Sequence, residues 1–377
     1  MLERKAFVET VRSGVMNVSE ACRSFNVSRV CGHKWLNRYE AEGETGLCDR
    51  SRAPASHPNA TPVEVVALLV AERLRRPAWG PRKLVWRLEQ LHPGVVFPSP
   101  SVAWTILSRH GLVQPRSRRR HTPPQTHLFT DATCPNSVWS ADFKGQFWMS
   151  GGGQVYPLTV TDSHSRFLLE VTAMSGTSGG PVRRVFERLF SERGLPLAIL
   201  TDNGPPFASV GLGGLTPLSA WWVRLGIMPD RIEPGHPEQN GRHERMHGAM
   251  EREVERPQGG LRAWQKSFGD FRRMYNHERP HEALGMKPPA RVYVPSPRPY
   301  PGKEPEVEYS EGVDIRRVRH NGEIKWRGKK LYCSQTLAGE PVGLVRTGED
   351  LWDIYYGKLK LGWIDGRTGK IFRPARL

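Results

Sequence analysis

The sequence lacks what would place it in a bilayer or in a secreted scaffold. No apolar run approaches the roughly twenty residues that cross a membrane, and nothing at the N-terminus reads as a signal segment. Cysteine is scarce: Cys22, Cys31, Cys48, Cys134 and Cys333 are odd in number and form no Cys-x-x-Cys pair. Neither a disulfide framework nor a zinc site is indicated, and most of the five read as small core residues. Acids are also short, with 38 Asp and Glu against 55 Lys and Arg, a formal net charge of +17. That imbalance points to a polyanion, and without a membrane segment the polyanion is nucleic acid. The expectation is a cytoplasmic, nucleoid-associated protein of several domains, since 377 residues exceed what one core usually organises.

What is present centres on three acids. Residues 196–200 form a short apolar run bounded by Gly194 and Pro196, which reads as a buried strand, and Thr201-Asp202-Asn203-Gly204 follows it. Asp202 then sits at a strand's C-terminal edge, where Asn203-Gly204 turns the chain away; taken alone this is also an ordinary turn. Upstream, Trp139-Ser140-Ala141-Asp142-Phe143 places Asp142 in an aromatic-rich strand, where an unpaired carboxylate is costly and calls for a cation. Downstream, a helix opens near His236-Pro237-Glu238-Gln239-Asn240-Gly241. On it Met246, Met250 and Val254 recur every fourth residue as a buried stripe, which leaves Glu244 on the polar side.

These three motifs, Trp-Ser-Ala-Asp142, Thr-Asp202-Asn-Gly and His-Pro-x-x-Asn-Gly-x-x-Glu244-Arg, resemble the signature of the DDE transposases and retroviral-type integrases, the bacterial insertion-sequence group most of all. Tyr275-Asn276-x-Glu278-Arg279-Pro280-His281, Thr161-Asp162-x3-Arg166 and the N-terminal helices extend the resemblance. One departure is the 42 positions between Asp202 and Glu244, wider than usual for the group, with the Gly-rich residues 209–215 read as a loop insertion. The resemblance implies a central α/β ribonuclease H-like core with a mixed sheet. It further implies a transposase that binds the terminal inverted repeats of its element, cleaves DNA to free a 3′-hydroxyl and joins that end to target DNA. An inert DNA-binding regulator and a nuclease that only hydrolyses are the opposing readings.

The chemistry explains why such a site would be built from acids. Phosphodiester transfer needs an activated attacking oxygen, charge stabilisation and help for the leaving oxygen, which two divalent ions provide together. Hard Mg²⁺ or Mn²⁺ prefers oxygen ligands, so Asp142 is expected to bridge two ions, Asp202 to complete one and Glu244 the other. Without metal the acids repel, and at least one should hold its proton unusually tightly. His236, His243 and His247 are not required as bases and read as structural or substrate-positioning.

The expected domains flank this core. Residues 1–52 read as an all-α helix-turn-helix domain, with a third helix from the Ser28 N-cap through Tyr39, Val30, Trp35 and Leu36 inward and Arg29, Lys34 and Arg38 free for DNA. A linker spans 53–61, and 62–115 reads as a second helix-turn-helix, winged if residues around Leu112 and Val113 form a strand. Residues 116–134 form a basic linker in which Arg116, Arg118, Arg119 and Arg120 either track phosphates or belong to a solvated tail. The core covers 135–292. Within it Asp162 reads as ordering a hairpin rather than as a catalytic acid, and Asn240 and Arg245 join the DNA-contact candidates. After a Pro-rich linker at 293–306, residues 307–377 show period-two patterning and frequent turns, with Trp352, Ile354 and Tyr356 on one face. A small SH3-like β-barrel is expected there, its basic face serving either DNA or solubility. The expected partners are double-stranded element ends and target DNA, in a homo-oligomer assembled on DNA.

Overall fold

The computed structural model describes residues 2–51, 59–113, 132–233 and 235–373. The chain forms two compact units, Met1–Ala60 and Thr61–Leu377.

The first unit holds three helices, α1 (Leu2–Arg12), α2 (Val18–Ser24) and α3 (Arg29–Glu42). Asn17 and Glu20 close a reciprocal capping box at α2, and the Ser28 side chain accepts from the Cys31 amide at 3.2 Å to start α3. Phe7, Val8, Ala21, Cys22 and Leu47 make the core. Gly32 lets α3 lie against it, since a Cβ there would meet Cys22 Sγ at 2.6 Å and Phe7 Cζ at 2.8 Å. This close approach corrects one expectation: Val30 points outward, 80% exposed. Two residues before Gly32 is about 200° around the helix, the face opposite the contact.

The second unit begins with α4 (Val63–Arg75), α5 (Pro81–Leu91) and α6 (Pro100–Arg109), close to the expected helices. No strand forms at Leu112 and Val113: the Leu112 amide closes the end of α6 on the Leu107 carbonyl at 2.9 Å, and both side chains pack on the core, so the described residues carry no wing. The expected phosphate-tracking Arg116, Arg118, Arg119 and Arg120 lie outside the described residues.

The central sheet comprises β1 (Val138–Phe143), β2 (Phe147–Trp148), β3 (Gln154–Asp162), β4 (Leu168–Met174), β5 (Ala198–Thr201) and β6 (Met228–Arg231). Strands β3 and β4 pair antiparallel, as do β1 and β3, whereas β5 runs parallel to β1 and β6 parallel to β5; the short β2 pairs with the start of β3. Helices α7 (Gly179–Arg193) and α8 (Pro217–Arg224) bury Phe186, Phe190, Trp221 and Trp222 against Trp139, Ala141 and Ile199 on one side. Helices α9 (Gly241–Glu253) and α10 (Leu261–His277) bury Met246, Met250, Trp264 and Phe268 in a cluster with Leu168 and Val171, and that cluster continues into α4, α5 and α6. Alternation along β1 therefore sends Trp139 and Ala141 to one side and Ser140 and Asp142 to the other.

Residues 293–306 contain no helix or strand, yet they are strapped to the core. The Ser296 amide donates to Arg193 O at 2.8 Å, Asn136 Nδ2 donates to Val294 O at 2.8 Å, and the Arg298 guanidinium donates to three carbonyls, Pro196 O, Leu225 O and Gly226 O, at 2.5–3.1 Å. Beyond the strap come β7 (Asp314–Arg317), β8 (Glu323–Trp326), β9 (Lys329–Tyr332), β10 (Pro341–Gly348), β11 (Leu351–Tyr356), β12 (Leu359–Asp365) and β13 (Lys370–Phe372). Five of them form an antiparallel sheet in the order β13, β12, β11, β10, β7, while β8 and β9 make a separate hairpin whose two loop residues, Arg327 and Gly328, both have positive φ. The path does not close among the described residues. A small antiparallel sheet thus stands where a closed barrel was expected, because the strands at its two ends do not pair. Trp352, Ile354 and Tyr356 share its buried side as expected.

The widened spacing between Asp202 and Glu244 has a structural use. Within residues 209–215 the short turn Leu212–Gly214 buries Leu212, and Leu215 follows it into the core of the C-terminal sheet beside Ile354 and Leu361. Gly213, at φ +67°, lies so close that a Cβ would meet Leu361 Cδ2 at 2.5 Å.

Candidate active site

The parallel pairing of β1 with β5 sets Ser140 beside Leu200, so Asp142 and Asp202 lie two residues further along neighbouring strands, at their C-terminal ends. Open α/β sheets present ligand sites at such ends. The Asp202 turn is anchored by Asn203, whose Nδ2 donates to Ile232 O at 2.7 Å, and by buried Phe207, whose ring packs on Phe143 and Trp222. Gly204 keeps the turn tight, since a Cβ there would sit 3.0 Å from Asp202 Oδ2. Asp202 Oδ1 is buried with no hydrogen-bond partner among the described residues. Glu244 is exposed in the first turn of α9.

These three acids share one electrostatic environment. Burial first, then the charges of Asp202 and Glu244, push the Asp142 carboxyl from 3.8 up to about 7, partly offset by the Phe143 amide and Lys144. An unpartnered buried oxygen on one acid and a strained proton affinity on another are features that a bound cation relieves.

Behind the acids lies a polar ladder that pattern reading did not anticipate. Asp142 pairs with Thr159 and Ser140 with Thr161 across β1 and β3, and His243 and His247 of α9 lie over the two threonines. The geometry fits because four helical residues rise about 6 Å and two strand residues about 6.8 Å. Thr159's hydroxyl donates to the Asp142 carbonyl at 3.0 Å, so its lone pairs accept from His243 Nε2 at 2.7 Å and His247 Nε2 at 2.8 Å. His243 Nδ1 is left as an acceptor for the Thr161 hydroxyl at 2.9 Å. Burial lowers His243 to about 3; burial, then His243 and Lys144, lower His247 to about 2, so both rings are neutral near pH 7. The ligand-capable atoms of Asp142, His243 and His247 lie within 4.8 Å of one another. His-x3-His on a helix facing Thr-x-Thr on a strand was the signal available in the sequence.

Asp162 ties the turn after β3: its Oδ1 accepts from the Asn136 amide and its Oδ2 from the Ser165 amide, both at 2.7 Å. This matches its expected hairpin role.

Two overlapping spans, residues 132–237 and 225–289, match family descriptions of the integrase core domain. The central domain is an integrase core. Around it, residues 313–372 match the C-terminal domain of IS481 family transposases, residues 3–55 a helix-turn-helix domain and residues 31–107 a homeodomain-like domain. The chain is 33% identical over 180 residues to the uncharacterized 39.2 kDa protein of insertion element IS476 from Xanthomonas euvesicatoria, covering 47% of this chain and 50% of that one. It is also 33% identical over 158 residues to the uncharacterized 31.7 kDa protein of insertion element IS407 from Burkholderia multivorans, covering 41% of this chain and 54% of that one. The chain spans about half the length of the curated relatives it matches. Among solved structures it is similar to a chain of the simian T-cell lymphotropic virus intasome in complex with PP2A regulatory subunit B56 gamma (TM-score 0.39, 17% identity, covering 70% of this chain and 90% of that one). It is also similar to the HTLV-2 integrase catalytic core domain in complex with magnesium (TM-score 0.35, 17% identity, covering 43% and 99%).

Of the residues expected to touch DNA, Arg29 and Lys34 are exposed on α3, Arg38 is half-buried beside the Gly46 turn, and Arg245 is exposed next to Glu244 on the integrase core. Asn240 is different. It is buried where a short 3-10 turn enters α9, with its Oδ1 unpartnered, and that burial does not fit a DNA-contacting side chain. No helix among the described residues is long and apolar enough to cross a membrane.

Proposed function

We propose that the chain is a DDE-type transposase of an insertion sequence. It binds the terminal inverted repeats of its element, hydrolyses one phosphodiester to expose a 3′-hydroxyl and carries that hydroxyl into target DNA. The observation that carries the reading is the convergence of three acids from three separate motifs, where the charges of Asp202 and Glu244 add to burial in pushing Asp142 up to about 7.

Two Mg²⁺ or Mn²⁺ ions would supply activation of the attacking oxygen and neutralisation of charge on the leaving 3′-oxygen. The residues fit: all three donors are carboxylates, which suit hard cations, and one presents a buried oxygen without a partner. In this reading Asp142 would serve both ions, Asp202 one and Glu244 the other. The Thr159 hydroxyl, through the Asp142 carbonyl, fixes the backbone that carries the first carboxylate.

The remaining assignments follow from the same reading. Residues 1–52 and 62–115 are the DNA-recognition modules, with Arg29, Lys34 and Arg38 on the first, Arg116, Arg118, Arg119 and Arg120 in the basic segment 116–134, and Arg245 beside the site. The core is 135–292 with a ribonuclease H-like arrangement, joined to its neighbours by 116–134 and 293–306, while 53–61 links the two helix-turn-helix modules, and 307–377 is a small β-domain of the SH3-like kind. The protein acts in the cytoplasm at the nucleoid, as a homo-oligomer on double-stranded element ends and target DNA.

The test is a strand-transfer assay with a labelled element end and a second duplex. Joined product is expected in Mg²⁺, and none with Asp142→Asn, Asp202→Asn or Glu244→Gln, each of which still binds the end. Glu238→Gln should remain active because Glu238 pairs with His236 at 2.7 Å on the surface. Nicking without joining would identify a hydrolysis-only nuclease, and end binding with no metal-dependent nicking would identify a regulator.

A further inference from the structure

The polar ladder has one loose end. His243 uses both ring nitrogens, on Thr159 and Thr161. His247 uses only Nε2, on Thr159, and its Nδ1 has no hydrogen-bond partner among the described residues. Because the single Thr159 proton goes to the Asp142 carbonyl, the His247 proton sits on Nε2 and Nδ1 presents a lone pair. Nδ1 lies 4.0 Å from Asp142 Oδ2. Two acceptors this far apart beside a buried network leave room for a cation between them.

We propose that His247 Nδ1 is a nitrogen ligand to the cation that Asp142 holds, making the site one of mixed oxygen and nitrogen donors, and that His243 is a positioning residue that never ligates. The inference rests on the metal-dependent reading above. Two donors each about 2.1 Å from one ion can stand up to about 4.2 Å apart, so the 4.0 Å separation leaves room for an ion that both atoms would hold. The ladder fixes the tautomer that leaves Nδ1 unprotonated, as hydrogen bonds to the other nitrogen commonly do for metal-bound histidines. An imidazole donor favours Mn²⁺ over Mg²⁺, so His247 is also the residue that sets the order of preference between the two ions.

The experiment is pulsed electron paramagnetic resonance of Mn²⁺ bound to the full chain, with ¹⁵N-histidine labelling, alongside direct Mn²⁺ and Mg²⁺ binding measurements. The unaltered chain should show nitrogen coupling to Mn²⁺ that changes to the ¹⁵N pattern on labelling. His247→Gln, whose amide can still reach Thr159, should abolish the coupling and weaken Mn²⁺ binding about tenfold while changing Mg²⁺ binding much less. His247→Asn, which puts an amide near the Nδ1 position, gives a second variant should the first fail to fold; it too should lose imidazole coupling. Bound Mn²⁺ with no nitrogen coupling in the unaltered chain overturns the inference and leaves the carboxylate site standing, as does coupling that survives in either His247 variant. Mn²⁺ binding that Asp142→Asn leaves untouched, or no Mn²⁺ binding at all, overturns the metal-dependent reading itself.

Discussion

A carboxyl held near 7 inside the fold weakens the fold that holds it. Asp142 binds its proton more tightly in the native chain than in the unfolded one, so in the absence of metal stability falls as pH rises from about 4 through about 7 and is flat above, with a loss of at most about 4 kcal/mol. In EDTA, Asp142→Asn should therefore melt several degrees above the unaltered chain at pH 8, and the difference should shrink towards pH 4. A lower melting temperature for the variant at pH 8 would mean that the three acids do not oppose folding. Thr159 works in the other sense. Thr159→Val leaves two buried imidazole N–H groups without acceptors and should cost roughly 1–3 kcal/mol in a denaturant titration. At this scale the acids were legible because each stands at a strand end or on the polar side of a helical stripe. The ladder was not, since its members are 84 and 88 positions apart in sequence and a lone Thr or His carries no partner with it. Asn240 misled for the same reason: a motif residue reads as exposed until the fold buries it.

Among the elements, those with strong periodicity were readable, and two short ones were not. Helix α8 is only 8 residues and apolar around much of its circumference, and β6 is 4 residues containing Pro229, Asp230 and Arg231, so neither repeats long enough to show a period. The barrel expectation failed on a different point: alternation shows which side of a strand is buried but says nothing about whether the first and last strands meet. One contact between elements is open to a clean measurement. Arg279 and Glu253 form an ion pair buried between α9 and the segment after α10, and Trp79 Nε1 donates to the same Glu253 at 3.1 Å. Glu253→Gln strands the guanidinium and should lower unfolding stability by about 3–5 kcal/mol. Replacing both partners, as Glu253→Leu with Arg279→Met, should recover most of that loss; no recovery would show that packing, not charge, sets the cost.

Over the whole molecule, Thr61–Leu377 forms one compact unit across linkers that the sequence reads as boundaries. Residues 1–60 have their own core and should melt cooperatively as an isolated fragment. A cut at residue 306 should not be so forgiving, because Leu212, Leu215 and Ala220 of the core are buried in the C-terminal sheet. The truncated chain should precipitate or bind a hydrophobic dye, and Leu212→Ser with Leu215→Ser should restore its solubility. Helices α4, α5 and α6 are seamed to α9 and α10. Apolar side chains from both sides share one cluster, and Arg76 and Arg87 reach Glu278 at 2.5 and 3.3 Å. Under the proposed function, whatever stretch of duplex those first helices grip would be held at a set distance from Asp142, and the molecule would act as a gauge that measures along DNA. Each inserted base pair moves a bond about 3.4 Å along the axis, more than a packed seam can absorb. On a substrate carrying one extra base pair between the gripped stretch and the end, the nick should fall at the original distance from the grip, one nucleotide short of the end, and a sequencing gel reads that displacement directly.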